Sequence, residues 1–312
     1  MKAILFPGQG SQVVGMGAEF YKNFDSVKKI FAEADETLKF KISKIILEGP
    51  EDQLKLTKNT QPAILTVSYS IFTVLKAEFN LDSNKIKYFA GHSLGEYSAL
   101  LSAGSISLRD SLYLLYERGR SMQEAVPLGE GGMIAVLGCN IVEINKFISE
   151  IKKKGVCEIA NDNAIGQIIV SGNISCIKEL QETLKLNKKK SIILPVSAPF
   201  HCSLMNPAAN KMKDKINNIN FNKPNYEIIS NVKATPTQNP EEIKELLYKQ
   251  IYSQVKWRES IIYMNDKKVN EFVEIGPGKV LTGLMKRIFP DSKTFSINSI
   301  DDIKKYSNES KK

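Results

Sequence analysis

The pentapeptide Gly91-His92-Ser93-Leu94-Gly95 limits more than any other feature what this chain can fold into. It follows an apolar run, Lys85 to Ala90, read as a strand, and it opens a helical pattern from Leu94 to Ala103. Gly-x-Ser-x-Gly between a strand and a helix is the pattern of a nucleophile elbow, in which a tight turn lifts the serine hydroxyl out of a sheet. The plainer alternative is a strand-to-helix turn that merely contains a serine. The rest of the chain suits an α/β protein, because strand-like runs alternate with helical patterns. Ala3 to Phe6 reads as a buried strand, and residues 12–38 and 61–79 read as helical. Ser107 is placed to cap a helix running to Ala125.

The middle of the chain changes character. Gly132–Leu137 reads as strand, Ile141–Lys154 as helix, and Val156–Ala160 and Gln167–Ser171 as strands. Ile174–Leu186 is helical and Ser191–Val196 a strand. This β-α-β-β-α-β order is that of a ferredoxin-like unit. The expectation is an α/β-hydrolase-like large domain, residues 1–127 and 198–300, with a ferredoxin-like small domain inserted at 128–197. Further large-domain strands are expected at Tyr226–Ser230 and Glu271–Ile275, and residues 301–312 are expected to be a frayed tail.

A serine nucleophile needs a base. The chain has two histidines, His92 and His201. His92 adjoins Ser93 in a tight turn, where neighbouring side chains diverge, so His201 is the candidate; the bland alternative is a histidine buried without a role. The N–H of Leu94, at the helix start, can face a developing oxyanion. The loop Phe6-Pro7-Gly8-Gln9-Gly10-Ser11-Gln12 lacks the third glycine of a dinucleotide fingerprint, since Val13 stands there, and reads as the source of a second oxyanion donor, Gln9 N–H. Gly276-Pro277-Gly278-Lys279 lacks phosphate-loop spacing and reads as a turn capping a helix. Arg120 has Glu117 and Glu124 at helical spacing, which makes it a surface ion-pair residue. Arg118 instead shares an apolar flank with Leu114 and Met122, where a guanidinium requires an anion from elsewhere. That anion is a substrate carboxylate or an acid on another element.

Composition narrows the partners. Lys and Arg number 43 against 34 Asp and Glu, a net charge of +9, which favours acidic partners or reflects a lysine-rich composition throughout. No aromatic platform interleaves with the lysines, so nucleic acid gains no support. Cys139, Cys157, Cys176 and Cys202 form no CxxC pair, so neither a metal site nor a disulfide framework is expected, and the chain reads as reduced and cytoplasmic. No run is long enough for a membrane span and no leader is read at the N-terminus.

At this point several segments resemble one family. They are Phe6-Pro7-Gly8-Gln9-Gly10-Ser11-Gln12, Gln61-Pro62-Ala63 and Gly91 to Leu100, followed by Arg118 with Met122 to Pro127. Ser197-Ala198-Pro199-Phe200-His201 and Gly276 to Leu281 complete the set. Together they resemble the malonyl-CoA:acyl carrier protein transacylases of dissociated, bacterial-type fatty acid synthesis, over roughly residues 3–290 and in family order. The resemblance implies Ser93 as nucleophile, His201 as acid/base, Gln9 and Leu94 as oxyanion donors and Arg118 as clamp for the malonyl carboxylate. It implies that a main-chain carbonyl, that of Gln250, orients the histidine, and that Gln61 lies in the substrate pocket. Met122, Phe200 and His92 complete the expected substrate-binding set, with Phe200 set against an α-methyl branch. Cys202 departs from the serine expected there. The implied substrates are a coenzyme A thioester and an acidic acyl carrier protein, with no metal or other cofactor and a monomeric enzyme. A serine thioesterase, a non-catalytic carrier-binding scaffold and a malonyltransferase serving a polyketide pathway remain alternatives.

Overall fold

Lys2-Ala-Ile-Leu-Phe6 is buried at every position, the pattern of a parallel strand covered on both faces. In the computed structural model, which describes residues 1–79, 81, 83–151, 154–196 and 198–309, this segment is β1 (Lys2–Phe6). It pairs in parallel with β2 (Ile86–Gly91). Alternation sorts the side chains of both strands. Ile4, Phe6 and Phe89 enter a core shared with the helix Thr57–Glu78, whose Phe72 meets both phenylalanines edge to face. Ala3, Leu5, Tyr88 and Ala90 enter a second core with Trp257, Ile261 and Met285.

The chain then leaves this sheet. β3 (Gly131–Leu137), β4 (Cys157–Ala164), β5 (Gln167–Asn173) and β6 (Lys190–Ile193) form a separate antiparallel sheet in the order β4-β5-β3-β6. The helices Ile141–Ile151 and Ile174–Leu186 cover one face of it, through Ile144, Ile148, Ile177 and Leu180 against Ile134, Val136 and Val170. On the opposite face Met133, Ala160 and Ile169 join the first core.

The chain returns through β7 (Glu227–Ile229), β8 (Pro236–Thr237), β9 (Glu271–Ile275) and β10 (Lys293–Ile297). The large sheet has the order β10-β9-β1-β2-β7-β8, parallel except for β8. The fold is therefore mixed α/β. Beside Val255 the small sheet is stitched to the segment that enters the helix Trp257–Asp266, which itself packs against the large sheet through Trp257 and Ile261. Val255 N–H donates to Ala160 O (2.8 Å) and its carbonyl accepts from Asp162 N–H (3.1 Å). Asp162, with a side chain 1% exposed, is gripped by Arg258 through Nε at 3.0 Å and Nη2 at 2.7 Å.

Several expectations change. The helix expected over 12–38 is broken in two, Ala18–Asn23 and Asp25–Leu38, because Phe24 is extended, and Gly15 and Gly17 adopt positive φ ahead of the first. The strand expected to reach Val196 stops at Ile193. The helix Val280–Ile288 does follow the Gly-Pro-Gly-Lys turn, but Glu274 caps it, accepting from Leu281 and Thr282 N–H. Residues 301–309 are not frayed: Ile300–Glu309 is a helix that buries Ile303 and Tyr306. Tyr306 also donates to Glu271 (3.1 Å), which pairs with Lys2 (2.8 Å), so apolar and polar contacts both tie the helix to the sheet. Residues 310–312 of the expected tail lie outside the described residues.

The stitch beside Val255 is testable. Breaking a buried ion pair costs about 3–5 kcal/mol, and because the Arg258 side chain is 27% exposed, Asp162→Ala should cost roughly 2–4 kcal/mol. The expected outcome is a lowered denaturant midpoint, and an unshifted midpoint would show that the backbone bonds of Val255 hold the small sheet to this segment unaided.

Candidate active site

The elbow forms because two glycines let a strand and a helix cross at van der Waals limits. A Cβ on Gly91 would lie 1.9 Å from the carbonyl of Gly95, and one on Gly95 would lie 2.3 Å from Phe6 O. No other residue fits either position. The turn forces Ser93 to φ 54°, a left-handed conformation that is costly for a residue with a side chain. Asn231, at the end of β7, holds this strained turn from below. Its Oδ1 accepts from Ser93 N–H (2.7 Å) and its Nδ2 donates to Gly91 O (2.7 Å).

His201 enters on the segment that follows the small sheet. Glu158 on β4 anchors that segment by accepting from the N–H and hydroxyl of Ser203. The imidazole lies between two partners. Nδ1 is 2.9 Å from Gln250 O, at the end of the helix Pro240–Gln250, and Nε2 is 2.8 Å from Ser93 Oγ. A carbonyl accepts only, so Nδ1 carries the proton and the Nε2 lone pair faces the serine hydroxyl. Burial, reinforced by the nearby Arg118 charge, pushes the His201 pKa down to about 3. The ring is therefore a neutral base at any ordinary pH. His92 points elsewhere, with Nε2 2.8 Å from Asn163 Oδ1 and its ring against Trp257. Cys202 is buried, its thiol pushed up to about 11 by burial, so it does not compete as a nucleophile.

Arg118 is 1% exposed and makes no ion pair among the described residues. Nη1 donates to Gln61 Oε1 (2.8 Å), and Nη2 donates to Gln250 Oε1 (2.8 Å) and Ser93 Oγ (3.1 Å). Its Nε has no partner among the described residues. The contact with Gln61 depends on Gly119, where a Cβ would stand 2.7 Å from Lys58 Cα; the helix Leu108–Glu124 can therefore press against Thr57–Glu78. The acid on another element, held open above as the partner of Arg118, is not in contact with it. Arg120 does pair with Glu117 (2.8 Å), while Glu124 pairs with Lys211.

Ser93, His201, Arg118, Gln61, Gln9, Leu94, Met122, Phe200 and His92 line one cavity of about 180 Å³. Gln250 does not line it and acts through its hydrogen bonds. Neither Gln9 N–H nor Leu94 N–H has a hydrogen-bond partner among the described residues, so both donors are free. Sequence reasoning missed the opposite wall, Met133, Asn161, Asn163, Ile169, Leu194 and Val196, which comes from the small sheet and the strand end beyond it. It also missed Asn231 and Glu96. Glu96 follows the elbow directly, and no periodicity signals that its carboxyl is buried. Among the described residues no cluster of His, Cys, Asp and Glu could hold a metal ion, and no helix is long and apolar enough to cross a membrane.

Comparison with known proteins adds to this geometry. The family model for the acyl transferase domain matches residues 4–306. A malonyl CoA-acyl carrier protein transacylase of Bacillus subtilis is 42% identical, over 96% of this chain and 94% of that one. The crystal structure of an acyl-carrier-protein S-malonyltransferase from Bartonella henselae superposes with a TM-score of 0.96 at 42% identity, covering 99% of this chain and 98% of that one. A malonyl-transacylase solved in complex with its type II polyketide acyl carrier protein superposes at 0.95 with 35% identity, covering 99% of each chain.

The pairing of Ser93 with a neutral histidine sets a pH expectation. The base is lost only when His201 is protonated, so reactivity should not fall as pH drops through 6.5, where an ordinary histidine titrates. Labelling of Ser93 by a fluorophosphonate probe should stay level from pH 8 to pH 5. It should fall by orders of magnitude in His201→Ala and remain measurable in His92→Ala. A midpoint near 6.5 in the wild type would contradict the buried neutral base.

Proposed function

The chain belongs to the acyl transferase domain family, and on that basis we propose that it moves a malonyl group from malonyl-CoA to the phosphopantetheine thiol of an acyl carrier protein, supplying fatty acid elongation. The names of its relatives support that activity. The choice of malonyl rests above all on Arg118, a buried cation beside the nucleophile with no carboxylate in contact. A buried charge without a partner is costly, and a hydrolase acting on neutral esters would have no use for it.

In this reading Ser93 Oγ attacks the thioester carbonyl while His201 Nε2 takes its proton. The N–H groups of Leu94 and Gln9 receive the oxyanion; removing one such donor typically costs about 10²–10³ in rate. The tetrahedral intermediate collapses, the C–S bond breaks, and His201 returns the proton to the departing coenzyme A thiol. Malonyl stays on Ser93 as an ester. The carrier thiol then gives its proton to His201, attacks the ester, and leaves with malonyl as Ser93 recovers its proton. The Gln250 carbonyl stabilises the imidazolium that forms in each half. Arg118, with Gln61 beside it, fixes the malonyl carboxylate, while Met122, His92 and Phe200 shape the pocket. This chemistry calls for no metal or redox group.

The same proposal covers architecture and setting. Residues 1–127 and 198–300 are read as an α/β-hydrolase-like large domain. Residues 128–197 are read as an inserted ferredoxin-like small domain, supported by the β4-β5-β3-β6 order with two helices on one face; Ser197, at that boundary, lies outside the described residues. The enzyme is taken to be a cytoplasmic monomer whose net charge of +9 suits an acidic carrier protein.

Intact-protein mass spectrometry after incubation with malonyl-CoA should show one added malonyl group, absent in Ser93→Ala. Loading that persisted in the alanine variant would sink the assignment. Arg118→Ala should lose charge-assisted contacts worth roughly 1.5–3 kcal/mol each, so malonyl loading should fall about tenfold or more per bond while acetyl loading does not.

Pocket shape gives a second expectation. One methyl group in an apolar pocket is discriminated by about 1–3 kcal/mol. Phe200→Ser should therefore raise methylmalonyl loading relative to malonyl in direct competition, and an unchanged ratio would remove Phe200 from the selectivity account.

A further inference from the structure

Behind the elbow lies a carboxyl group that the transfer mechanism does not use. Glu96, the second residue of the helix Gly95–Ser102, is 3% exposed. Its Oε2 accepts from Gln250 Nε2 (2.8 Å) and from Asn231 N–H (3.1 Å). The same Gln250 amide donates to Ser93 O (3.0 Å) and accepts from Arg118 Nη2 at its other end (2.8 Å). The orientation of that amide is unambiguous, because two acceptors face its nitrogen and a donor faces its oxygen. One neutral side chain thus separates a buried anion from a buried cation. No carboxylate touches Arg118 directly among the described residues; burial lowers its pKa, and Tyr97 and Glu96 oppose that, Glu96 being the carboxyl group of the two.

We propose that Glu96 is the counter-ion of Arg118 in the empty site, and that it gives up this role by taking a proton when a carboxylate-bearing acyl group reaches Arg118. With the site empty, the guanidinium favours the ionised form of Glu96 across Gln250. A malonyl carboxylate in direct contact neutralises that cation, and two negative charges near one buried positive charge are unfavourable. The more distant acid is the one that yields.

The neighbouring groups leave Glu96 alone in this role. Burial raises its carboxyl to about 7, against the pull of Gln250, Asn231 and Arg118, so it is poised to change state at working pH. Tyr97, next along its own helix, is pushed up to about 12 and stays neutral. His201, across Arg118, is held down at about 3 and is also neutral. Asn231, Gln250 and Gln61, from the other elements at this spot, do not titrate. Glu96 is thus a positioning residue: it touches neither substrate nor nucleophile, and it tunes the charge that Arg118 offers.

The inference rests on malonyl being the acyl group, and the test separates the two ideas. Binding of malonyl-CoA and of acetyl-CoA to the Ser93→Ala protein is measured by calorimetry at pH 8 in two buffers of different ionisation heat. Acetyl-CoA shares the titrating phosphate of coenzyme A and serves as reference. The expected result is uptake of a substantial part of one proton per malonyl-CoA bound, beyond that seen with acetyl-CoA. Glu96→Gln, which keeps the shape and one acceptor oxygen, should abolish the excess, as should Arg118→Ala. Below pH 7 Glu96 is already protonated and affinity is level; above it affinity for malonyl-CoA should weaken with pH, by up to about tenfold for each unit by which binding displaces the Glu96 pKa. In Glu96→Gln that slope should vanish. Binding with no excess proton uptake, or an excess that survives Glu96→Gln, would overturn the proposal. Failure of malonyl-CoA to bind at all would overturn the functional reading and this inference with it.

Discussion

The crossing of β2 by the helix that follows it is the contact on which the rest of the site depends. A methyl group on Gly91 would strike the helix at Gly95 and one on Gly95 would strike β1 at Phe6, and the turn between the two glycines holds Ser93 in a conformation that a serine would not choose alone. Such strain persists only where the surroundings over-determine it. Here Asn231 bonds to Gly91 O and Ser93 N–H, and Gln250 bonds to the serine carbonyl. Those two residues come from separate segments beyond the small sheet, and Gln250 also positions the histidine and the arginine. The elbow and the residues that serve it therefore form one hydrogen-bonded unit.

Burial acts in opposite useful ways on the two central side chains. It disfavours a charged imidazole, so His201 stays neutral with its Nε2 lone pair open to the serine, and the imidazolium that forms needs the Gln250 carbonyl to stabilise it. Arg118 cannot escape its charge by deprotonating at ordinary pH, so the same burial leaves a cation held by neutral carbonyl oxygens and a hydroxyl. The site is thus built to be short of one negative charge at close range. That makes an acyl group with a free carboxylate a better guest than one without.

Much of this was legible in the sequence because it depends on local pattern. The elbow needs two glycines at fixed spacing around a serine, and β1 and β2 need continuous apolar runs. With only two histidines in the chain, elimination left one candidate base. The site's other wall was not legible. Met133 and Ile169 read as ordinary strand residues, and so do Leu194 and Val196, although the observed β6 stops at Ile193 before them. Their place in the cavity follows from docking one sheet against another, which no local signal encodes. Asn231 and Glu96 were invisible for a similar reason: each bonds to groups more than a hundred residues away in sequence. The last helix was mistaken for a frayed tail because it is mostly polar; two buried side chains, Ile303 and Tyr306, suffice to seat it.

The sequence separation within the site has a consequence for how the protein is made. Ser93 meets its base 108 positions later, and the amide that bonds to the serine carbonyl belongs to a residue 157 positions later. During synthesis the elbow leaves the ribosome with neither the base nor the residue that orients it. A serine hydroxyl alone is a feeble nucleophile toward a thioester, so the nascent chain should pass through the cell's pool of acyl thioesters without being acylated. Reactivity requires at least that the helix ending at Gln250 has emerged and folded. Chain order thus works as a safety catch that leaves the elbow unarmed while the first two hundred residues are made.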